Sequence, residues 1–112
     1  MATAKMKQAA KATLGAYDRL IAEPGRHVGE WEIYGGNDCH LCKAAGDDDC
    51  RNCPLGPVFV GCETQTQQIL QEVLDDALVY REPPPKILRM VVTAARNRRR
   101  WLVKKFEKAG VM

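Results

Sequence analysis

Residues 82–110 read Glu82-Pro83-Pro84-Pro85-Lys86-Ile87-Leu88-Arg89-Met90-Val91-Val92-Thr93-Ala94-Ala95-Arg96-Asn97-Arg98-Arg99-Arg100-Trp101-Leu102-Val103-Lys104-Lys105-Phe106-Glu107-Lys108-Ala109-Gly110. The triple proline cannot continue a preceding helix, but proline suits the first turn of a new one. Leu88, Val91, Val92, Ala95, Leu102 and Phe106 then recur on one face of a helix over 86–109. Gly110 stands where a left-handed cap residue is expected, and Lys104, Lys105 and Lys108 suit the negative end of the helix dipole. A helix this long needs partners for its apolar face, and two upstream segments supply them.

Thr64-Gln65-Thr66-Gln67 has the form of a capping box, with Thr64 as N-cap. The helix it opens presents Ile69, Leu70, Val73, Leu74, Ala77 and Leu78 on one face and stops near Arg81, ahead of the prolines. Residues 3–22 form the other partner, with Met6, Ala10, Leu14, Tyr17 and Ile21 in one stripe, ended by Pro24-Gly25. Val28 to Tyr34 alternate in the manner of a short strand, with Trp31 and Ile33 on one side. Val58-Phe59-Val60 reads as a second extended piece. The expected fold is mainly α: about three helices with an inserted four-cysteine zinc-knuckle loop and one or two short strands. It makes a single domain over 1–112, comprising an N-terminal helix and strand (1–34), the cysteine loop (35–63), a middle helix (64–82) and a basic C-terminal helix (84–110).

The chain has 112 residues, which suits one domain and excludes a dinucleotide-binding pair or a TIM barrel. With 46% hydrophobic and 28% charged residues it has a globular profile, and with 6% aromatics the core must rest on aliphatic side chains. No run of about 18 apolar residues suggests a membrane span, and no apolar segment follows Met1 to Lys5 as a secretory leader would require. The expected setting is the cytoplasm of a bacterial host, with no membrane partner.

Cys39, Cys42, Cys50, Cys53 and Cys62 cluster tightly, and an odd count without a leader argues against a disulfide scaffold. Cys39-His-Leu-Cys42 and Cys50-Arg-Asn-Cys53 are C-x-x-C pairs seven residues apart. That spacing suits a tetrahedral Zn²⁺ held by four thiolates at about 2.3 Å, a closed shell that builds structure and leaves no position for a reacting water. Residues 35–63 are rich in Gly, Asp and Cys, and metal binding supplies the folding energy that burial cannot. The competing readings are an iron–sulfur cluster, a redox pair or unliganded thiols. Cys62 reads as a small buried hydrophobe beside Phe59 and Val60; the alternative is that it replaces one of the four ligands. His27, His40 and Asp47-Asp48-Asp49 read as solvent-facing or supporting groups.

Trp31, then Gly36-Asn37-Asp38-Cys39-His40-Leu41-Cys42, then Cys50-x-x-Cys53-Pro54-Leu55 and Cys62, resembles a pattern found in small uncharacterised cysteine-rich proteins of bacteriophages and prophages. The resemblance covers about residues 31–62. It implies a phage-type accessory protein that binds zinc, and it brings no known reaction with it.

Charge is segregated. Residues 86–112 carry nine Lys/Arg against one Glu, a net of +8, whereas residues 31–63 carry two against six acids and residues 64–85 one against four. Arg96, Arg99, Arg100, Trp101, Lys104, Lys105 and Lys108 are the candidate binding surface, for DNA or RNA phosphates or for an acidic bacterial host protein. Arg98 falls near the apolar seam, where Asp75 or Asp76 is a candidate partner. No nucleophile–base spacing accompanies the two histidines, so the expected activity is binding rather than catalysis. Two functions fit these features. One is a non-enzymatic regulator or host-takeover factor acting on nucleic acid or a nucleic-acid-processing complex. The other is a protein–protein module that inhibits a host enzyme or defence system, with zinc purely structural.

Overall fold

The computed structural model describes residues 4–29 and 65–111, and these residues are almost entirely helical. The elements are α1 (Ala4–Ala22), α2 (Pro24–His27), α3 (Gln65–Leu78) and α4 (Pro85–Ala109). There is no strand among the described residues. Val28 and Gly29, expected to begin a strand, instead extend α2 by a tight helical turn, and residues 30–34 lie outside the described residues. The cysteine loop and the Val58-Phe59-Val60 segment lie outside them too.

Proline sets the start of α4 and glycine its end. Pro84 is extended (φ −66°, ψ 156°) and its carbonyl accepts bonds from the N–H groups of Ile87 and Leu88 at 3.0 and 3.1 Å. At the far end the Gly110 N–H donates to the Glu107 carbonyl (3.2 Å) and the Val111 N–H to the Phe106 carbonyl (3.0 Å). Gly110 takes φ 75° to make this closure, which folds Val111 back into the core. Pro24 acts similarly on α1: the residue before a proline is driven from helical geometry, and Glu23 sits at φ −136°, ψ 69° between α1 and α2.

The long helix α4 is the shared partner. α3 and α1 both pack on it, and α2 touches its first half. Thr66 on α3 meets Arg98 on α4, and Ile69 and Val73 border the same hollow as Met90 and Ala94, so α3 and α4 run antiparallel. α1 also runs antiparallel to α4, because Asp18 meets Arg99 while Lys7, Lys11 and Leu14 lie beside Val111. Val91, Ala94, Ala95, Arg98, Leu102 and Phe106 form the buried stripe of α4. Ala9, Ala10 and Ala16 on α1, Ala77 on α3 and Ala94 and Ala95 on α4 are all buried, and such small residues let helix axes approach toward the close end of the usual 8–10 Å.

The stripes differ in detail from their sequence reading. α1 buries a second row, Ala9, Thr13, Ala16 and Leu20, alongside the expected one, while Ile21 is only half-buried. The buried arc is wider than the large side chains alone mark, and the Thr13 hydroxyl is accommodated by donating to the Ala9 carbonyl at 2.9 Å. α3 buries a narrower arc than expected. Leu70, Leu74 and Ala77 are enclosed, but Ile69 and Leu78 are 45% and 43% exposed; among the described elements α4 is the main neighbour of α3, and one neighbour covers only one side of a helix. α3 ends at Leu78 rather than near Arg81, with turns and bends over 79–82. Thr64 lies outside the described residues; Gln67 is buried, and its Oε1 accepts no hydrogen bond from the described residues.

Two glycines on this scaffold are expected to respond with opposite signs. Gly15 is inside α1, and among the described residues a methyl group there would meet only the flexible end of Arg19 at 3.6 Å. Gly15→Ala is therefore expected to stabilise by about 0.5–1 kcal/mol. Gly110→Ala forces a side chain into the left-handed region and is expected to destabilise by about 1 kcal/mol. Thermal unfolding of the two variants beside wild type checks both signs, and a stabilising Gly110→Ala contradicts the cap geometry.

Candidate nucleic-acid interface

The basic residues of α4 fall into three groups. Arg96, Arg100, Lys104 and Lys108 recur every four residues and are all exposed. Four residues of helix rise about 6 Å, so the row extends along about 18 Å of α4. None of the four makes an ion pair with the described residues. Among the described residues Glu107 is the one acid lining the open hollow that Arg96, Arg99, Arg100, Val103 and Lys104 also line.

Arg99 belongs to a different group. Its Nε donates to Asp18 Oδ1 at 2.7 Å and its Nη2 to Asp18 Oδ2 at 3.4 Å, a forked contact between α4 and α1. The pair is partly exposed, with side chains 34% and 59% accessible, so it fixes register more than it stabilises. Asp18→Asn is expected to change stability by less than about 1 kcal/mol, checked by denaturant titration.

Arg98, Trp101 and Lys105 form the third group. Arg98 is buried, at 2% exposure. Its Nη1 donates to Thr66 Oγ1 at 3.0 Å, between two and three turns ahead of the acids Asp75 and Asp76 considered from sequence. The Asp75 carboxylate instead accepts from Gln71 Nε2 at 3.1 Å, within α3. The Arg98 guanidinium lies 4.4 Å from the Trp101 ring centre and the Lys105 ammonium 5.3 Å. An aromatic face attracts cations through its quadrupole, so this half-buried indole holds two side chains of its own helix.

Two basic residues outside α4 join this surface. Lys7 and Lys11 of α1 are exposed and line a hollow of about 540 Å³ with Leu14, Gly15, Asp18, Arg99 and Val111. Their i, i+4 spacing was visible in the sequence; their position beside α4 follows only from antiparallel packing.

A second hollow, of about 400 Å³, lies between α3 and α4. Ile69, Val73, Met90 and Ala94 give it an apolar lining, with Lys86 and Arg89 at its edge. The zinc candidates Cys39, Cys42, Cys50 and Cys53, and Cys62, lie outside the described residues. No helix among the described residues is long and apolar enough to cross a membrane. No protein-family model, curated protein or solved structure matches the chain.

Proposed function

We propose that this chain is a non-enzymatic, zinc-binding accessory protein of the phage type that binds nucleic acid, or a complex assembled on it, in the cytoplasm of a bacterial host. The observation that carries this reading is the exposed row Arg96, Arg100, Lys104 and Lys108, with no ion pair to the described residues. Duplex DNA carries one negative charge per about 1.7 Å of axis, so an 18 Å row of cations faces more phosphates than it needs. Arg99 and Trp101, already engaged by Asp18 and by Arg98 and Lys105, shape the surface from within. The zinc reading rests on the paired C-x-x-C spacing of Cys39, Cys42, Cys50 and Cys53.

Duplex binding measured against salt tests the row. Four phosphate contacts give a slope of log K against log salt of about −3.6, and replacing the four cations by Gln is expected to remove most of it. Wild-type protein that binds neither duplex nor single strand in a salt-dependent way sinks the proposal. Metal analysis tests the other half. Purified protein is expected to hold close to one zinc per chain, lost in Cys39→Ser and kept in Cys62→Ser; the reverse ranking identifies a different ligand set.

A second reading has its own observation. In the hollow between α3 and α4, Ile69 is 45% and Met90 44% exposed, beside the cations Lys86 and Arg89. Such a surface suits an acidic protein partner, as an inhibitor of a host enzyme would require. Binding that survives nuclease treatment and is lost in Met90→Asp favours this reading.

A further inference from the structure

The hollow on α4 and the hollow between α1 and α4 share one residue, Arg99. The two are therefore neighbours on one surface. Lys7 and Lys11 stand on the α1 side, and Arg96, Arg100 and Lys104 on the α4 side. Asp18 sits between them, but its carboxylate is held by the Arg99 fork, so it presents little repulsion to an incoming anion. The floor near the seam is made by Leu14, Gly15 and Val111. Five exposed cations thus flank a low seam, with Glu107 the one acid among the described residues lining it that is not matched by Arg99.

We infer that α1 is the second rail of the nucleic-acid interface: Lys7 and Lys11 contact one phosphate row of a duplex while Arg96, Arg100 and Lys104 contact the other. The inference rests on the proposed phosphate binding by α4 and specifies its substrate as double-stranded. Each rail has the i, i+4 spacing that sets cations about 6 Å apart along an axis. Packed helices hold their axes about 8–10 Å apart, and long Lys and Arg side chains that lean outward from the two axes can reach phosphates across the roughly 12 Å major groove. A single strand has one phosphate row and can engage one rail at a time. The Asp18–Arg99 fork keeps the rails in register, so its role is positional.

The test compares Lys7→Gln/Lys11→Gln with wild type, in the full chain, on a 20-base-pair duplex and on one of its strands. Two lost contacts are expected to make the duplex slope shallower by about 1.8 and to leave the single-strand slope unchanged. Lys7→Arg/Lys11→Arg is expected to keep the wild-type slope, and unchanged thermal melting shows that the fold is intact. An unaltered duplex slope overturns the second rail. If Arg96→Gln/Arg100→Gln/Lys104→Gln still weakens binding in that case, the α4 interface itself stands. Equal losses on duplex and single strand overturn the two-row geometry. Absence of any salt-dependent binding by wild type removes the α4 reading and this one together.

Discussion

Phe106→Ala is expected to destabilise the protein by about 3–5 kcal/mol, the usual cost of removing a buried aromatic ring. Phe106 is fully enclosed in the core cluster, one turn before the end of α4. Its carbonyl also accepts the Val111 N–H that closes the helix, and Val111 is itself buried against the same core. Among the described residues the core has few large side chains to redistribute into the space: Tyr17, Leu20, Leu70, Leu74, Leu102 and Val91 are the other large apolar groups almost wholly enclosed. Much of the rest is alanine, which cannot reach into a cavity. Domains of this size are stable by about 5–15 kcal/mol, so the loss removes a large share and lowers Tm by roughly 15 °C. Phe106→Leu keeps most of the volume and is expected to cost about 1.5 kcal/mol. Denaturant unfolding of both variants gives the comparison. A loss under about 1 kcal/mol for Phe106→Ala contradicts the enclosed position of the ring.

Arg98 gives the second large effect, and it separates packing from charge. Arg98→Ala removes a long buried side chain, its donation to Thr66 Oγ1 and its stacking on Trp101. The expected cost is about 3 kcal/mol, combining a cavity, a lost hydrogen bond of about 1 kcal/mol and a cation–aromatic contact of about 1 kcal/mol. Arg98→Met keeps a stem of similar length in the same channel and relieves the desolvation of a buried cation. Its expected cost is under about 1.5 kcal/mol. Equal losses in the two variants would show that the guanidinium, rather than the volume of its stem, is what the α3–α4 interface requires. Trp101 fluorescence offers an independent reading, since both variants change the cation over the ring.

These two positions also show why the basic helix is not one uniform patch. Seven of its cations lie within Arg96 to Lys108, yet one is buried, one is bonded to α1 and one rests on an indole. The sequence places them all within a short run; the helical turn distributes them around the circumference. The remaining four, at i, i+4, i+8 and i+12, are those left exposed.

Local chemistry was enough to specify α1, α3 and α4, but not the short α2 over Pro24–His27, where the sequence pattern predicts only a turn and a following strand. Prolines at 83–85, glycine at 110 and apolar residues at three- and four-residue steps fix α4, because helix limits depend on backbone dihedral and donor restrictions that act within a few residues. The same holds for the end of α1 before Pro24. Arg98 was also legible as a residue near the apolar seam, from its angular position alone. Burial at the margins was not local. Leu20 is enclosed while Ile69 and Leu78 are exposed, and which apolar residue is covered depends on how many neighbours a helix has and on which sides. The partners of charged residues followed the same rule: Arg98 reaches Thr66 and Arg99 reaches Asp18, contacts across 32 and 81 residues of chain. Periodicity assigns a side chain to a face of its own helix. Only the antiparallel docking of α1 and α3 on α4 decided what that face meets, and hence that Lys7 and Lys11 stand beside the arginines of a helix at the opposite end of the sequence.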